Sequence, residues 1–262
     1  MPARGEEIIV AAVRLLMPGR HDARIKRQAA RYWSASDGDQ SWNSNSHWRN
    51  GIGDEAFAEV GRDHWEIYQR FARALEVDTA TTIIEWGAGG GANAVAFAPH
   101  VERFIAADVS PDNLAECSRQ VQAVCNTLVD TLLIDLADPN AAADGLRHAC
   151  DLFLCLYVIE LTTGVDAVRT ILRIAQRVLR PGGMALVQVK YHTSDGHTRG
   201  RIGLAYARNL ALNTTFTIEG FWTLAGECGL EPQLATLVPR NRLDSRYAYY
   251  ALIKPANGME PQ

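Results

Sequence analysis

Three glycines at alternate positions, Gly87, Gly89 and Gly91, follow an apolar run that carries an acid, Ile83-Ile84-Glu85-Trp86. Residues 81–86 read as a buried parallel strand, the glycines as a tight turn, and residues 92–97 as the opening of a helix. Strand, glycine turn and helix together bring backbone N–H groups close to a ligand. A side chain at those positions would block the approach. The rest of the chain is expected to complete a nucleoside-cofactor site around this turn.

At 262 residues the chain suits one domain with an elaboration. A hydrophobic content of 47% supports a sizeable core, and a net charge of −4 argues against a chain-wide nucleic-acid binder while leaving a local basic patch open. The cysteines at 117, 125, 150, 155 and 228 form no C-x-x-C pair. They read as reduced, mostly buried thiols of a cytoplasmic protein. The apolar run 8–17 is too short to span a membrane and contains Arg14, and Glu6 and Glu7 stand where a signal peptide is basic. Neither export nor a membrane span is expected.

Residues 6–17 read as a short helix closed by Pro18-Gly19, and residues 22–33 as a second helix carrying Arg24, Lys26, Arg27 and Arg31. Residues 34–53 are rich in Ser, Asn, Asp and Gly and read as loop, yet they hold Trp42, His47 and Trp48. Such a loop folds over either the core or a ligand. Residues 54–77 repeat apolar side chains at helical spacing, from Phe57 through Leu75, with Asp54 as cap.

From residue 81 the rhythm becomes strand then helix. Strands are expected at 81–86, 104–108, 131–135, 151–157 and 184–190. Ser110-Pro111 opens one helix, residues 165–179 form another, and Arg180-Pro181-Gly182-Gly183 is a turn. Residues 202–211 are mixed helical, 217–228 form a helix closed by Gly229, and 232–238 with 247–253 are two final strands that pair antiparallel. The pattern predicts an α/β fold. It is a doubly wound, mostly parallel seven-stranded sheet with an antiparallel last strand, plus an N-terminal helical extension.

Several spaced signals agree. Glu85-x-Gly87-x-Gly89-x-Gly91 opens the series, Asp108 ends the second strand 21 residues after Gly87, and Asp135 ends the third. Asp151 opens the fourth, which runs into Tyr157-Val158-Ile159-Glu160-Leu161, and Leu179-Arg-Pro-Gly-Gly-Met184 precedes the fifth. In this order the chain resembles the class I S-adenosylmethionine-dependent methyltransferases over about residues 79–254. The resemblance implies three parts. Residues 1–78 are a helical extension with a lid loop, 79–255 a Rossmann-like methyltransferase domain with an insertion at 191–216, and 256–262 a frayed tail. It also implies S-adenosylmethionine as methyl donor and S-adenosylhomocysteine as product. The implied cofactor-binding residues are Glu85, Gly87, Gly89, Gly91, Asp108, Val109, Asp135, Leu136 and Leu156, with Trp48 from the loop. Glu85 would bind the ammonium through water or backbone groups, Asp108 would take the ribose hydroxyls, and Asp135 with the Leu136 N–H the adenine.

A dinucleotide site is the competing reading, since Gly87-x-Gly89-x-x-Ala92 also satisfies G-x-G-x-x-G/A. Glu85 separates the two: it suits a cationic amino group and would repel a pyrophosphate.

For methyl transfer the candidate catalytic residues are Glu160, after the fourth strand, and His192 and His197, after the fifth. Related enzymes often carry Glu-His where this chain has Glu160-Leu161. The spacing of His192, Asp195 and His197 fits no metal template, and no metal is expected. The Asn/Asp-Pro-Pro-Tyr/Phe pattern of nucleobase amino methylation is missing. The expected partner is a small-molecule methyl acceptor, methylated at oxygen or nitrogen. Membrane and nucleic-acid partners are not expected, and a homodimer stays open. RNA or protein methylation, and cofactor binding without catalysis, are the alternatives.

Overall fold

A computed structural model describes residues 18–34, 47–203, 205–238 and 246–256. Among the described residues two helices come first, α1 (Pro18–Ser34) and α2 (His47–Leu75). Then follow β1 (Thr82–Trp86), α3 (Ala94–Phe97), β2 (Arg103–Asp108), α4 (Pro111–Gln122), β3 (Leu128–Leu133) and β4 (Cys150–Cys155). The last elements are α5 (Val165–Val178), β5 (Leu179–Lys190), α6 (Ile218–Glu227), β6 (Glu231–Val238) and β7 (Tyr247–Ile253).

The strands form one sheet in the order β3-β2-β1-β4-β5-β7-β6. The first five pair in parallel, and β7 enters antiparallel between β5 and β6. The direction of winding reverses between β1 and β4. In open α/β sheets that switch point leaves a crevice at the carboxyl ends of the strands. Apolar side chains on one face of the sheet pack with α5 and α6, and those on the other face with α2, α3 and α4. A smaller cluster joins α1, through Ile25 and Ala29, to Ile202, Tyr206 and Leu210. Among the described residues no helix is long and apolar enough to cross a membrane.

Local chemistry explains several boundaries. Ser110 caps α4 by accepting from the Asn113 N–H, with Pro111 in the first turn. Thr217 caps α6 by accepting from Gly220, and Gly229, at φ +80°, follows its end.

Elsewhere the structure differs from the sequence reading. The helix expected from Asp54 begins at His47 and passes through Gly51 and Gly53. A helical glycine costs about 1 kcal/mol relative to alanine, which is why composition favoured a loop. The buried stripe of Phe57, Val60, Tyr68 and Phe71 sustains a helix long enough to absorb that cost. The third strand begins three residues and ends two residues earlier than its apolar run suggested. Its register follows β2, from Arg103↔Leu128 to Asp108↔Leu133. As an edge strand it leaves Leu128 and Leu133 61% and 58% exposed, so apolarity did not mark its face. The turn expected at 180–183 lies inside β5, where the register steps from Cys150↔Leu179 to Leu152↔Met184. Gly182 donates to the Lys254 carbonyl there, so the sheet absorbs the turn as a bulge. The helix expected at 6–17, Trp42, most of the loop and the tail from 257 lie outside the described residues.

Residues 191–216 leave and rejoin the sheet at one place. Tyr191 bridges Phe216, and the His192 N–H donates to the Phe216 carbonyl at 2.8 Å. Between them lies a 3-10 helix, Tyr206–Leu212, against which α1 packs.

Candidate active site

The turn after β1 is held in a conformation that side chains resist. Gly87, Gly89 and Gly91 have φ of +83°, +52° and +94°. The N–H groups of Gly87 and Ala88 both donate to the Ala107 carbonyl, at 2.7 and 3.0 Å, which folds the turn across the end of β2. A Cβ on Gly87 would stand 2.3 Å from Val158 Cγ2, and one on Gly91 3.0 Å from Cys117 Cα. A Cβ on Gly89 would meet no atom within 4 Å. Protein packing therefore explains two of the glycines, while Gly89 faces open space.

That space is a cavity of about 390 Å³, at the size of small-molecule and cofactor sites. It lies over the carboxyl ends of β1, β2 and β4. Gly87, Gly89, Asp108, Val109, Leu136 and Leu156 line it. Glu85, Gly91 and Asp135 stand outside its lining, and the side chain of Trp48 lies outside the described residues.

Asp108 is fixed from three sides. Its Oδ2 accepts from the Gly89 N–H at 2.9 Å, and its Oδ1 from the Ser110 N–H at 2.9 Å and Asn113 Nδ2 at 3.1 Å. Burial pushes its carboxyl up, and these hydrogen bonds oppose the shift. A carboxylate so held keeps its position while its remaining lone pairs accept from a ligand. Asp135 is exposed, and its Oδ1 accepts from the Ala137 N–H at 2.8 Å. It closes a local turn, and the acid that lines the cavity beyond β3 is Asp138.

Glu85 lies beneath the turn and is 1% exposed. Its Oε1 accepts from Asn93 Nδ2 at 2.6 Å, and its Oε2 is buried with no hydrogen-bond partner. Burial, with Asp108 nearby, pushes this carboxyl up to about 8 against the opposing Asn93 bond. A buried carboxylate oxygen without a donor is costly, of order 1–3 kcal/mol or more. The buried carboxyl beneath the turn and the glycine cradle above it suit a ligand that brings a cation to the turn.

The far end of the cavity is roofed by α1 and the 206–212 helix. Lys26, Ala29 and Trp33 from α1 line it, with Phe57 and Val60 from α2 and Tyr206. Trp33 Nε1 donates to the Tyr206 hydroxyl at 2.6 Å, which donates to the Leu161 carbonyl at 2.6 Å. Burial pushes the Tyr206 hydroxyl up, so it serves as a fixed wall and not as a base. Tyr157, just past β4, also lines the cavity and takes φ of +58°. A left-handed aromatic residue is strained, and Gln188 Oε1 holds it by accepting its N–H at 2.5 Å.

None of the three candidate bases lines the cavity. Glu160 is buried 2% exposed, accepts from the Tyr247 hydroxyl at 3.2 Å, and through its carbonyl ties down Asn213 and Thr214. His192 is bonded to Thr215 Oγ1 at 2.9 Å, and burial together with Arg199 pulls it down. His197 has an 83% exposed side chain and pairs with Asp195. Sequence reasoning gave no role to His64, Asn93, Trp33 or Tyr206. Asn93, two residues past the last glycine, carried a local signal in its position at the helix start. His64 and Tyr206 carried none, since each looks like an ordinary residue of its helix.

Residues 84–187 match the family model described as a methyltransferase domain. No curated protein matches the chain. The fold is similar to that of 1,6-didemethyltoxoflavin-N1-methyltransferase from Burkholderia thailandensis, solved with bound 1,6-didemethyltoxoflavin and S-adenosylhomocysteine. That likeness has 20% identity and a TM-score of 0.57, over 81% of this chain and 83% of that one. It is also similar to the N-methyltransferase NodS from Bradyrhizobium japonicum, bound to S-adenosylhomocysteine, at 16% identity, TM-score 0.55, 90% and 98% coverage. A third likeness is to a SAM-dependent methyltransferase from Methanosarcina mazei, at 12% identity, TM-score 0.54, 69% and 95% coverage. At these identities the likeness to the solved structures is one of fold.

Proposed function

We propose, from the chain's place among the class I S-adenosylmethionine-dependent methyltransferases, that it methylates a nitrogen or oxygen of a small molecule. The observation that carries this reading is a continuous cavity of about 390 Å³ that starts on the glycine turn and ends under the α1 roof. Two of the similar folds belong to proteins named as methyltransferases acting at nitrogen.

S-adenosylmethionine supplies a methyl group already activated on a sulfonium, so in-line displacement requires placement more than chemical activation. The residues present fit that cofactor. Gly89 and Gly90 let backbone approach it, Glu85 beneath the turn would favour its ammonium through water or backbone groups, and Asp108 would accept from its ribose hydroxyls. Val109, Ile134, Leu136 and Val158 give apolar flanks for a base. Trp33, Phe57, Tyr157, Leu161 and Tyr206 would shape the acceptor chamber and exclude water. Apolar walls disfavour an ammonium, so an amine bound there is held neutral with its lone pair available. A nitrogen acceptor fits such a chamber without a dedicated base.

Two measurements test the reading. Calorimetric titration is expected to show binding of S-adenosylmethionine and none of NAD; the reverse overturns it. Incubation of the protein with labelled S-adenosylmethionine and a metabolite extract is expected to place the label in a small molecule.

A second reading has one observation in its favour. Arg24, Lys26, Arg27 and Arg31 are exposed on α1, the helix that roofs the cavity. That face would suit an RNA backbone. Label transfer to RNA, with binding that weakens steeply as salt rises, would select it.

A further inference from the structure

His64 is the buried histidine of the described residues, 1% exposed, and it stands on α2, outside the residues that match the methyltransferase family model. Helix α2 sits unusually close to the glycine turn: a Cβ on Gly61 would lie 2.1 Å from the Ala92 carbonyl oxygen. From that position His64 reaches two ways. Its Nδ1 is 2.6 Å from Asn93 Oδ1, and its Nε2 is 2.9 Å from the Tyr249 hydroxyl. The Tyr249 hydroxyl is in turn 3.4 Å from the hydroxyl of Tyr157, which lines the cavity.

One proton arrangement satisfies this chain. Asn93 uses Nδ2 to donate to Glu85, so its Oδ1 accepts, and His64 Nδ1 carries the proton. His64 Nε2 is then bare and accepts from Tyr249. Both ring nitrogens are used by a neutral imidazole, consistent with burial pulling His64 down to about 4. The chain ends on a carboxylate whose second oxygen has no partner. That oxygen lies beneath the glycine turn, where the lack of a donor costs stability until a ligand brings positive charge nearby.

We propose that His64 is a positioning residue for the methyl donor: through Asn93 it holds the Glu85 carboxyl beneath the glycine turn that receives the donor's ammonium. Through Tyr249 it ties the same element to Tyr157 at the acceptor end. The helical extension is then part of the cofactor site without touching the cofactor. This rests on the methyl-donor reading given above.

The test compares two ligands by calorimetry, S-adenosylhomocysteine, which carries the amino-acid end, and methylthioadenosine, which lacks it. Wild-type protein is expected to bind the first more tightly. His64→Phe is expected to weaken S-adenosylhomocysteine by about tenfold or more and to leave methylthioadenosine within about twofold, the size of one lost charge-assisted contact. His64→Gln, whose amide offers one donor and one acceptor, is expected to recover most of the loss. Should His64→Phe fail to fold, His64→Leu is read in the same way. Equal weakening of both ligands means a merely structural role and overturns the proposal, as does unchanged affinity for both. Wild-type protein that binds neither ligand overturns the methyl-donor reading itself, and the proposal with it.

Discussion

Asn93 donates to one oxygen of Glu85 at 2.6 Å, while the other oxygen of that carboxylate is buried with no hydrogen-bond partner. The asymmetry gives the glycine turn its electrostatic character. A carboxyl pushed up from 4.5 to about 8 is mostly protonated at neutral pH, and a cation brought beside it would drive the proton off.

The first prediction concerns pH. Glu85 binds its proton more tightly folded than unfolded, so its contribution to stability is full below the ordinary 4.5 and is lost as pH rises through about 8. His64, pulled down from 6.5 to about 4, acts the other way: its contribution is present above 6.5 and lost as pH falls through 4. Between pH 6.5 and 8 only Glu85 of this pair is titrating. The Tm of the cofactor-free protein should fall across that window from this group, and Glu85→Gln should flatten the fall. S-adenosylmethionine affinity should rise over the same window, by up to about tenfold per pH unit, with proton release visible as a buffer-dependent heat. A wild-type Tm profile identical to that of Glu85→Gln sinks the prediction.

Asp108→Ala should weaken S-adenosylmethionine by about 1.5–3 kcal/mol, the worth of hydrogen bonds to a charged group. It should also cost stability, since the Gly89 and Ser110 N–H groups and Asn113 lose their acceptor. Titration calorimetry and thermal melts separate the two effects. Unchanged affinity in a destabilised variant would mean that Asp108 serves the fold alone.

Two glycine substitutions should behave differently. Gly87→Ala meets Val158 at 2.3 Å and is expected to lower stability by about 1–3 kcal/mol. Gly89→Ala meets no protein atom and costs only the left-handed backbone, about 1–2 kcal/mol. Its main effect should be on cofactor affinity, because the new methyl enters the cavity. Chemical denaturation beside ligand titration reads both quantities.

His192→Ala and His197→Ala should each retain turnover close to wild type once an acceptor is in hand. Neither side chain lines the cavity, and His197 is 83% exposed. A loss of kcat of about a hundredfold in either variant, the scale of general-base catalysis, would bring the segment after β5 back as the source of the base.

Sequence alone determined the turn itself. Three consecutive alternate positions at positive φ are open to glycine and closed to most side chains, so the spacing of Gly87, Gly89 and Gly91 carried the local geometry. It also determined the strand–helix alternation and the final antiparallel pair, because period and punctuation are local properties. Where local rules conflicted with pairing, pairing prevailed. β3 took its register from β2, and the Arg180-Pro181-Gly182-Gly183 turn became a bulge because β7 and β4 hold β5 on both sides. Asp108 and Asp135 look alike in sequence, each an acid at a strand end. Only the fold made one a buried cavity residue and the other an exposed turn cap, because exposure depends on what packs above the strand. His64 and Glu85 stand 21 positions apart on different elements. Their connection through Asn93 exists only after α2 docks on the glycine turn, since no spacing rule reaches between a helix and a strand that meet through tertiary packing.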